Sequence, residues 1–308
     1  MTPALLCSGQ GLLHPGMFAL TGGAPEAAGL FAQAATLLGG RDPRDFVRRE
    51  PAAALHHDRA GQILCTLQAL AAAAALREVL QGGCIVAGYS VGEMAAWGVA
   101  GYLGMADTLD LAARRADAMD AASSPGDGLL FVRGLGRDAI DALCARHGAA
   151  IAIVNPGDAF VLGGSGAALD AVAAEAQAMN AARIVRLAVE VASHTRRLAA
   201  ASASFRETLR HVPVTLAPGA RLLSGVDGAA IVDAGAGLDK LAAQISHTVR
   251  WADCLQSCIE AGATAFLELG PGGALAAMAA GAYPDVPARS LDDFRSLEGV
   301  RAWLARGG

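Results

Sequence analysis

The sequence predicts an α/β protein with a parallel-sheet core and a smaller inserted unit, and three observations carry that prediction. An apolar run of β-formers, Cys84-Ile85-Val86-Ala87, meets a run of helix formers, Met94-Ala95-Ala96-Trp97, across the tight sequence Gly88-Tyr89-Ser90-Val91-Gly92-Glu93. Ser123-Ser124-Pro125-Gly126-Asp127-Gly128 is the clearest linker in the chain. Beyond it, strand and helix patterns follow in the order β-α-β-β-α-β over roughly 65 residues before the earlier pattern resumes.

Taken in order, residues 3–7 are apolar and read as a first buried strand, ending in Ser8-Gly9-Gln10-Gly11, a loop whose glycines suit close approach to another segment. Residues 25–38 and 59–80 have helical periodicity, the second with Gln62 in its first turn. The strand before Ser90 comes next, followed by a helix over 106–122 that Asp107 opens and that contains Arg114-Arg115. After the linker the pattern gives a strand at 129–132, a helix at 137–147, strands at 150–154 and 160–162 around the turn Asn155-Pro156-Gly157-Asp158, a helix at 165–180 and a strand at 183–189. That order is the split βαβ arrangement of ferredoxin-like folds. It defines a small subdomain, 125–191, inside a large catalytic domain made of 1–124 and 192–308. Val191-Ala192-Ser193-His194 returns the chain to the large domain. An arginine-rich helix (195–212), a short strand (222–224) and helices at 238–245 and 250–261 lead to an apolar strand (265–269) stopped by Gly270-Pro271-Gly272-Gly273. A short helix, a strand at 286–288 and a helix at 293–306 complete the domain.

At 308 residues and 54% hydrophobic the chain can fill one large α/β domain with an insertion, and with aromatics at only 5% alanine, leucine and valine do the filling. A net charge of −5 gives no global attraction to nucleic acid or to an anionic membrane, so neither is an expected partner. Lys240 is the only lysine among 24 basic residues, which reads as genomic base composition. The six cysteines lie scattered in apolar runs without a C-x-x-C pair, as core thiols in a reducing compartment would. Cys254 and Cys258, one helical turn apart, have no histidine or carboxylate at ligand spacing, so no metal is expected. No basic residue precedes Arg41, and the most apolar helix carries Gln68 and Arg77; the expectation is a cytoplasmic protein with no secretory signal and no membrane span.

Gly-x-Ser-x-Gly between a strand and a helix is a nucleophile elbow. The glycines let two backbone segments pass closely, the turn projects the Ser90 hydroxyl from the sheet edge, and the helix N-terminus aims N–H groups at whatever Ser90 attacks. In this setting the core reads as α/β-hydrolase-like. A serine is a weak nucleophile until a base takes its proton. Of the seven histidines, His14, His56, His57, His147, His194, His211 and His247, only His194 follows an apolar strand at the point where the inserted unit rejoins the core.

Gly9-Gln10-Gly11, Gly88-Tyr89-Ser90-Val91-Gly92-Glu93, Arg115 with Met119, Ser193-His194, and Gln244 with Val249-Arg250-Trp251 together resemble the malonyl-CoA:acyl carrier protein transacylases. The resemblance covers nearly the whole chain, the ferredoxin-like subdomain with its Asn155-Pro156-Gly157 turn included. Tyr89, where such enzymes commonly have histidine, looks most like the malonate decarboxylase epsilon subunit. The resemblance implies transfer of a malonyl group from malonyl-CoA to the phosphopantetheine-type thiol of an acyl carrier protein through a malonyl-serine. The setting it suggests is malonate decarboxylase, whose other subunits would then be partners. The alternative is a transacylase of fatty acid or polyketide synthesis. Coenzyme A enters as a thioester substrate and no bound cofactor is implied.

By the same resemblance Ser90 is the nucleophile and His194 the general base, with Gln10 and Val91 supplying oxyanion-hole N–H groups. A main-chain carbonyl near Gln244 orients the histidine, so no catalytic carboxylate is expected, and Glu93 reads as structural or capping. Arg115 would hold the free carboxylate of the acyl group, with Arg114 as the competing assignment. Gln62, Tyr89, Asn155 and Gln244 would line the substrate site. Arg183, Arg186, Arg196 and Arg197 are a candidate patch for an acidic carrier. A generic α/β-hydrolase thioesterase shares the elbow, but it usually places its histidine late, after an acid, and carries an oxyanion loop of the His-Gly-Gly-Gly kind that this chain lacks. A non-catalytic carrier-binding subunit would need no Ser90 and His194 together.

Overall fold

The computed structural model of the chain describes residues 2–216 and 219–307. Its strands are β1 (Pro3–Cys7), β2 (Cys84–Gly88), β3 (Asp127–Arg133), β4 (Ala150–Asn155), β5 (Ala159–Ser165), β6 (Arg183–Arg186), β7 (Ala220–Leu222), β8 (Val249–Arg250), β9 (Ala265–Glu268) and β10 (Ala288–Ser290). They form two sheets, one of order β10-β9-β1-β2-β7 and one of order β6-β3-β5-β4-β8.

Every pairing in the first sheet is parallel. A parallel sheet needs helical crossovers, which cover both its faces, and its inner strands are therefore apolar throughout rather than alternating. All of β2 and all of β1 except Pro3 are buried. Successive side chains still serve opposite faces. Leu5 and Cys7 of β1 pack with Val86 and Leu267 on one side, while Ala4 and Leu6 pack with Ile85 and Phe266 on the other. The helix Asp58–Ala75 lies at the centre of the molecule with only Arg59 and Ala74 not buried; its alanines let the helices Val91–Val99 and Met105–Ala122 approach closely.

Residues 127–186 run strand, helix (Arg137–His147), strand, strand, helix (Gly166–Ala178), strand, and pair antiparallel in the spatial order β6-β3-β5-β4. Ile140, Leu143, Leu162 and Val172 fill their own apolar cluster.

Beyond shifts of a few residues at the ends of elements, such as the strand expected at 286–288 that lies at Ala288–Ser290, the structure departs from the sequence expectation in three places. The stretch before Asp58, to which the sequence pattern assigns no element, holds two helices, Pro43–Arg49 and Ala52–His56; the first starts with proline behind Asp42, whose side chain accepts the Arg44 N–H. The helix expected at 238–245 runs over Ala234–Ala243, because Asp233 caps it through the Ala236 N–H; Gly235 and Gly237 hide that turn in the sequence. Arg250, expected to open the following helix, instead forms with Val249 a strand that pairs parallel with β4 and joins the small sheet to the main body. Among the described residues no helix is long and apolar enough to cross a membrane, and no group of three metal-ligating side chains occurs.

Candidate active site

The site forms where β1 and β2 end. Ser90 stands between β2 and the helix Val91–Val99 with φ 57° and ψ −122°, a left-handed conformation that a non-glycine residue adopts only when its surroundings enforce it. The enforcement is visible in the neighbouring glycines. A Cβ on Gly92 would lie 2.0 Å from the Cys7 carbonyl oxygen, and one on Gly9 would lie 2.8 Å from the Tyr89 carbonyl oxygen and 3.4 Å from Ser90 Cβ. The loop after β1 is thus pressed against the elbow, with Gly9 beside Ser90 and Gln10 next in the chain. Val91 opens the helix, so its N–H has no intrahelical acceptor. The Gln10 side chain turns away to the Asp58 main-chain carbonyl, 3.1 Å off.

His194 is buried, has φ 61°, and holds its Nε2 2.8 Å from Ser90 Oγ. Its Nδ1 lies 2.6 Å from the main-chain oxygen of Gln244, and its own N–H donates to Ile245 O at 2.8 Å. A carbonyl oxygen only accepts, so the ring proton sits on Nδ1 and the Nε2 lone pair faces the serine hydroxyl. Burial, and then the Arg115 charge, push the imidazole down to about 3, against the pull of the Gln244 carbonyl; the ring is neutral at neutral pH. No carboxylate reaches it among the described residues. Among the other histidines, His14 meets Asp292, His147 meets Glu175, His56 is half-buried, His57 and His211 are exposed, and His247, which lines a cavity beside His194, turns back on Ala243 O.

Arg115 is 1% exposed, whereas Arg114, one residue earlier on the same helix, is exposed. Its guanidinium donates to Gln62 Oε1 at 2.7 Å and to Gln244 Oε1 at 3.1 Å, and Nε has no partner among the described residues. Burial lowers Arg115 to about 10, opposed by the charges of Asp58 and Glu93. The Gln244 amide nitrogen donates to Ser90 O at 2.9 Å and to Glu93 Oε2 at 2.7 Å. Gln244 therefore touches nucleophile, base and guanidinium at once. The Gln62 amide nitrogen donates to Asp58 Oδ2 at 2.8 Å and lies 3.4 Å from Met119 Sδ.

Glu93 caps no helix end: one carboxyl oxygen takes both the Gln244 amide and the Gly225 N–H, and burial raises the group to about 7. Asp58 was not singled out in the sequence, where it is one acid in the first turn of a helix. Tyr89 lies edge-on to Trp251 at 5.4 Å, and burial pushes its hydroxyl pKa up against a side-chain hydrogen bond with Asn155, which is buried at the end of β4. The four-arginine patch is thinner than its sequence suggests. All four are exposed, but Arg197 is tied to the buried Asp127 by two bonds of 2.9 and 2.7 Å and Arg186 lies 3.5 Å from Asp170, which leaves Arg183 and Arg196 without an ion-pair partner among the described residues. A cavity of about 440 Å³ opens beside His194, between Ile151 and Gly163 of the small sheet and Thr248 of the main body.

Residues 40–291 match the family described as the acyl transferase domain. The malonyl CoA-acyl carrier protein transacylase of Mycobacterium tuberculosis (strain H37Rv) is 34% identical over 217 residues, 70% of this chain and 70% of that one. The crystal structure of an acyl-carrier-protein S-malonyltransferase from Burkholderia pseudomallei 1710b superposes with a TM-score of 0.88 at 29% identity, covering 98% of this chain and 100% of the other. A malonyl-transacylase solved in complex with its type II PKS acyl-carrier protein superposes with a TM-score of 0.90 at 25% identity, covering 98% and 99%.

Proposed function

Because the chain belongs to the acyl transferase domain family, we propose that it moves a malonyl group from malonyl-CoA to the thiol of an acyl carrier protein through a malonyl ester of Ser90. The observation that carries this reading is the 2.8 Å contact between Ser90 Oγ and a His194 whose proton is held on the far nitrogen by a carbonyl.

The Ser90 oxygen bonds to the thioester carbon while its proton passes to His194 Nε2. The negative charge on the former carbonyl oxygen falls beside the main-chain N–H groups of Val91 and Gln10. Collapse breaks the C–S bond, and coenzyme A leaves with the proton from His194. In the second half the carrier's thiol gives its proton to His194 as its sulfur attacks the ester. The C–O bond to Ser90 breaks, and Ser90 recovers the proton. Arg115 supplies a buried cation for the free carboxylate, which would otherwise be costly to desolvate.

The names of the relatives support a carrier of fatty acid or polyketide synthesis better than the malonate decarboxylase carrier. Tyr89 alone favours the latter, which stands as the second reading. Incubation with malonyl-CoA is expected to add one malonyl group to the peptide containing Ser90 and none in Ser90→Ala; an adduct on a cysteine, or transfer that survives Ser90→Ala, overturns the proposal. Offering the malonyl enzyme a fatty acid synthesis carrier beside one bearing the modified coenzyme-A-like group of malonate decarboxylation decides the second question by which thiol is acylated faster.

A further inference from the structure

One buried carboxylate beside the site takes no part in the steps above. Asp58 is 7% exposed, and its Oδ2 accepts the Gln62 amide N–H at 2.8 Å. Gln62 turns its own oxygen to Arg115 at 2.7 Å. The two ends of a primary amide are nearly the same shape, so packing alone does not decide which faces the guanidinium, and the NH2 end would set donor against donor there. A carboxylate settles the question from the other side because it meets only the NH2 end. Burial raises Asp58 to about 6, which leaves it mostly ionised, and so an acceptor, at neutral pH. With its oxygen held forward, Gln62 fixes one terminal nitrogen of Arg115. Gln244, held by Glu93 in the same way, fixes the other.

We propose that Asp58 is a positioning residue for acyl-group selection: it orients the Gln62 amide, which aims Arg115 at the carboxylate of a malonyl group, and so separates malonyl from acetyl without touching either. The inference rests on the malonyl-transfer reading and adds to it the residue that sets its selectivity. The competing role for Asp58 is that of a first-turn acid stabilising the helix Asp58–Ala75 through the helix dipole. That role would affect both acyl groups alike.

The test measures Ser90 acylation by malonyl-CoA and by acetyl-CoA in wild type, Asp58→Ala, Asp58→Asn, Gln62→Ala and the double variant Asp58→Ala/Gln62→Ala. Asp58→Ala is expected to lower the malonyl-to-acetyl ratio of kcat/KM by about tenfold, as loss of support for one hydrogen bond to a charged group would. Asp58→Asn, whose amide can present either its oxygen or its NH2 to Gln62, should recover only part of the ratio. On the Gln62→Ala background, removal of Asp58 should change the ratio by less than about twofold, since residues that act through one contact are not additive. Asp58→Ser keeps a favourable helix-start residue without the reach to Gln62, and gives the same readout should Asp58→Ala fail to fold. An unchanged ratio with both rates lowered in parallel, or an equal effect of Asp58→Ala when Gln62 is absent, overturns the inference while leaving the malonyl-serine intact. A wild-type enzyme that forms no malonyl-serine removes the function and the inference together.

Discussion

At His194 a group that can only accept decides which nitrogen carries the proton, and burial keeps the ring uncharged. Its folded-state value lies below the ordinary 6.5, so the neutral base persists as pH falls through that value. The acid limb of kcat/KM for malonyl loading should accordingly show an apparent pKa under 6.5; a limb at or above it would contradict the described environment. Arg115 invites a second measurement. Arg115→Ala should lose malonyl loading by roughly two orders of magnitude while acetyl loading is kept, the scale expected when one member of a charged pair is removed. Arg114→Ala, at an exposed position, should match wild type; a selectivity switch in that variant would move the pocket to the other face of the helix. Ser90 and His194 were legible because a motif and a chain junction single them out. Consecutive helical residues point about 100° apart, so only one of the two arginines could face inward, and the resemblance carried by Arg115 with Met119 favoured Arg115. Asp58 and Glu93 were not legible as parts of the site. Each acts through an amide, and Glu93 finds its glutamine 151 positions along the chain.

Between elements, the helix Val91–Val99 lies close against the end of β1, and Gly92 permits it. In Gly92→Ala the new carbon would meet the Cys7 carbonyl at 2.0 Å and the Ser8 carbonyl at 2.9 Å, both backbone, so strand and helix must part. Soluble yield and melting temperature should drop sharply, with malonyl loading lost even in the fraction that folds. Gly281→Ala is the contrast: it lies in the helix Ala274–Ala282 with open space around it and should gain roughly 0.5–1 kcal/mol from helix propensity. Equal melting temperatures for the two variants would contradict the packing described. Most strands and long helices were readable because their apolar spacing is local. The two-residue strand Val249–Arg250 was not, since nothing in its composition distinguishes it from the first turn of a helix and only pairing with β4 gives it an identity.

Across the whole molecule three buried carboxyls are held well above their ordinary range by burial, Asp58 to about 6 and Glu93 and Glu268 each to about 7. The unfolded chain gives up these protons near pH 4 and the folded chain keeps them, so their stabilising share is whole below that pH and fades as pH rises toward 7. His194 runs the other way and withdraws stability as pH falls below 6.5. Glu268 accepts from Ser8 Oγ at 2.7 Å and from the Ala276 N–H at 2.9 Å, outside the Arg115 network, so Glu268→Gln isolates one share. Its melting temperature should decline less steeply between pH 5 and 8 than that of wild type, a difference on the order of 1–3 kcal/mol across the range; identical slopes would mean that Glu268 ionises normally. The same scale gives the fifth strand of the small sheet another meaning. Residues 127–186 are continuous in sequence, yet β4 finds its outer neighbour in Val249–Arg250, and the Arg250 N–H is itself tied to Gly225 O at 2.7 Å. A graft that exchanges this unit with a relative by cutting only at its two chain crossings would deliver β4 to a foreign edge strand, so a working chimera has to carry residues 249–250 along as a third segment.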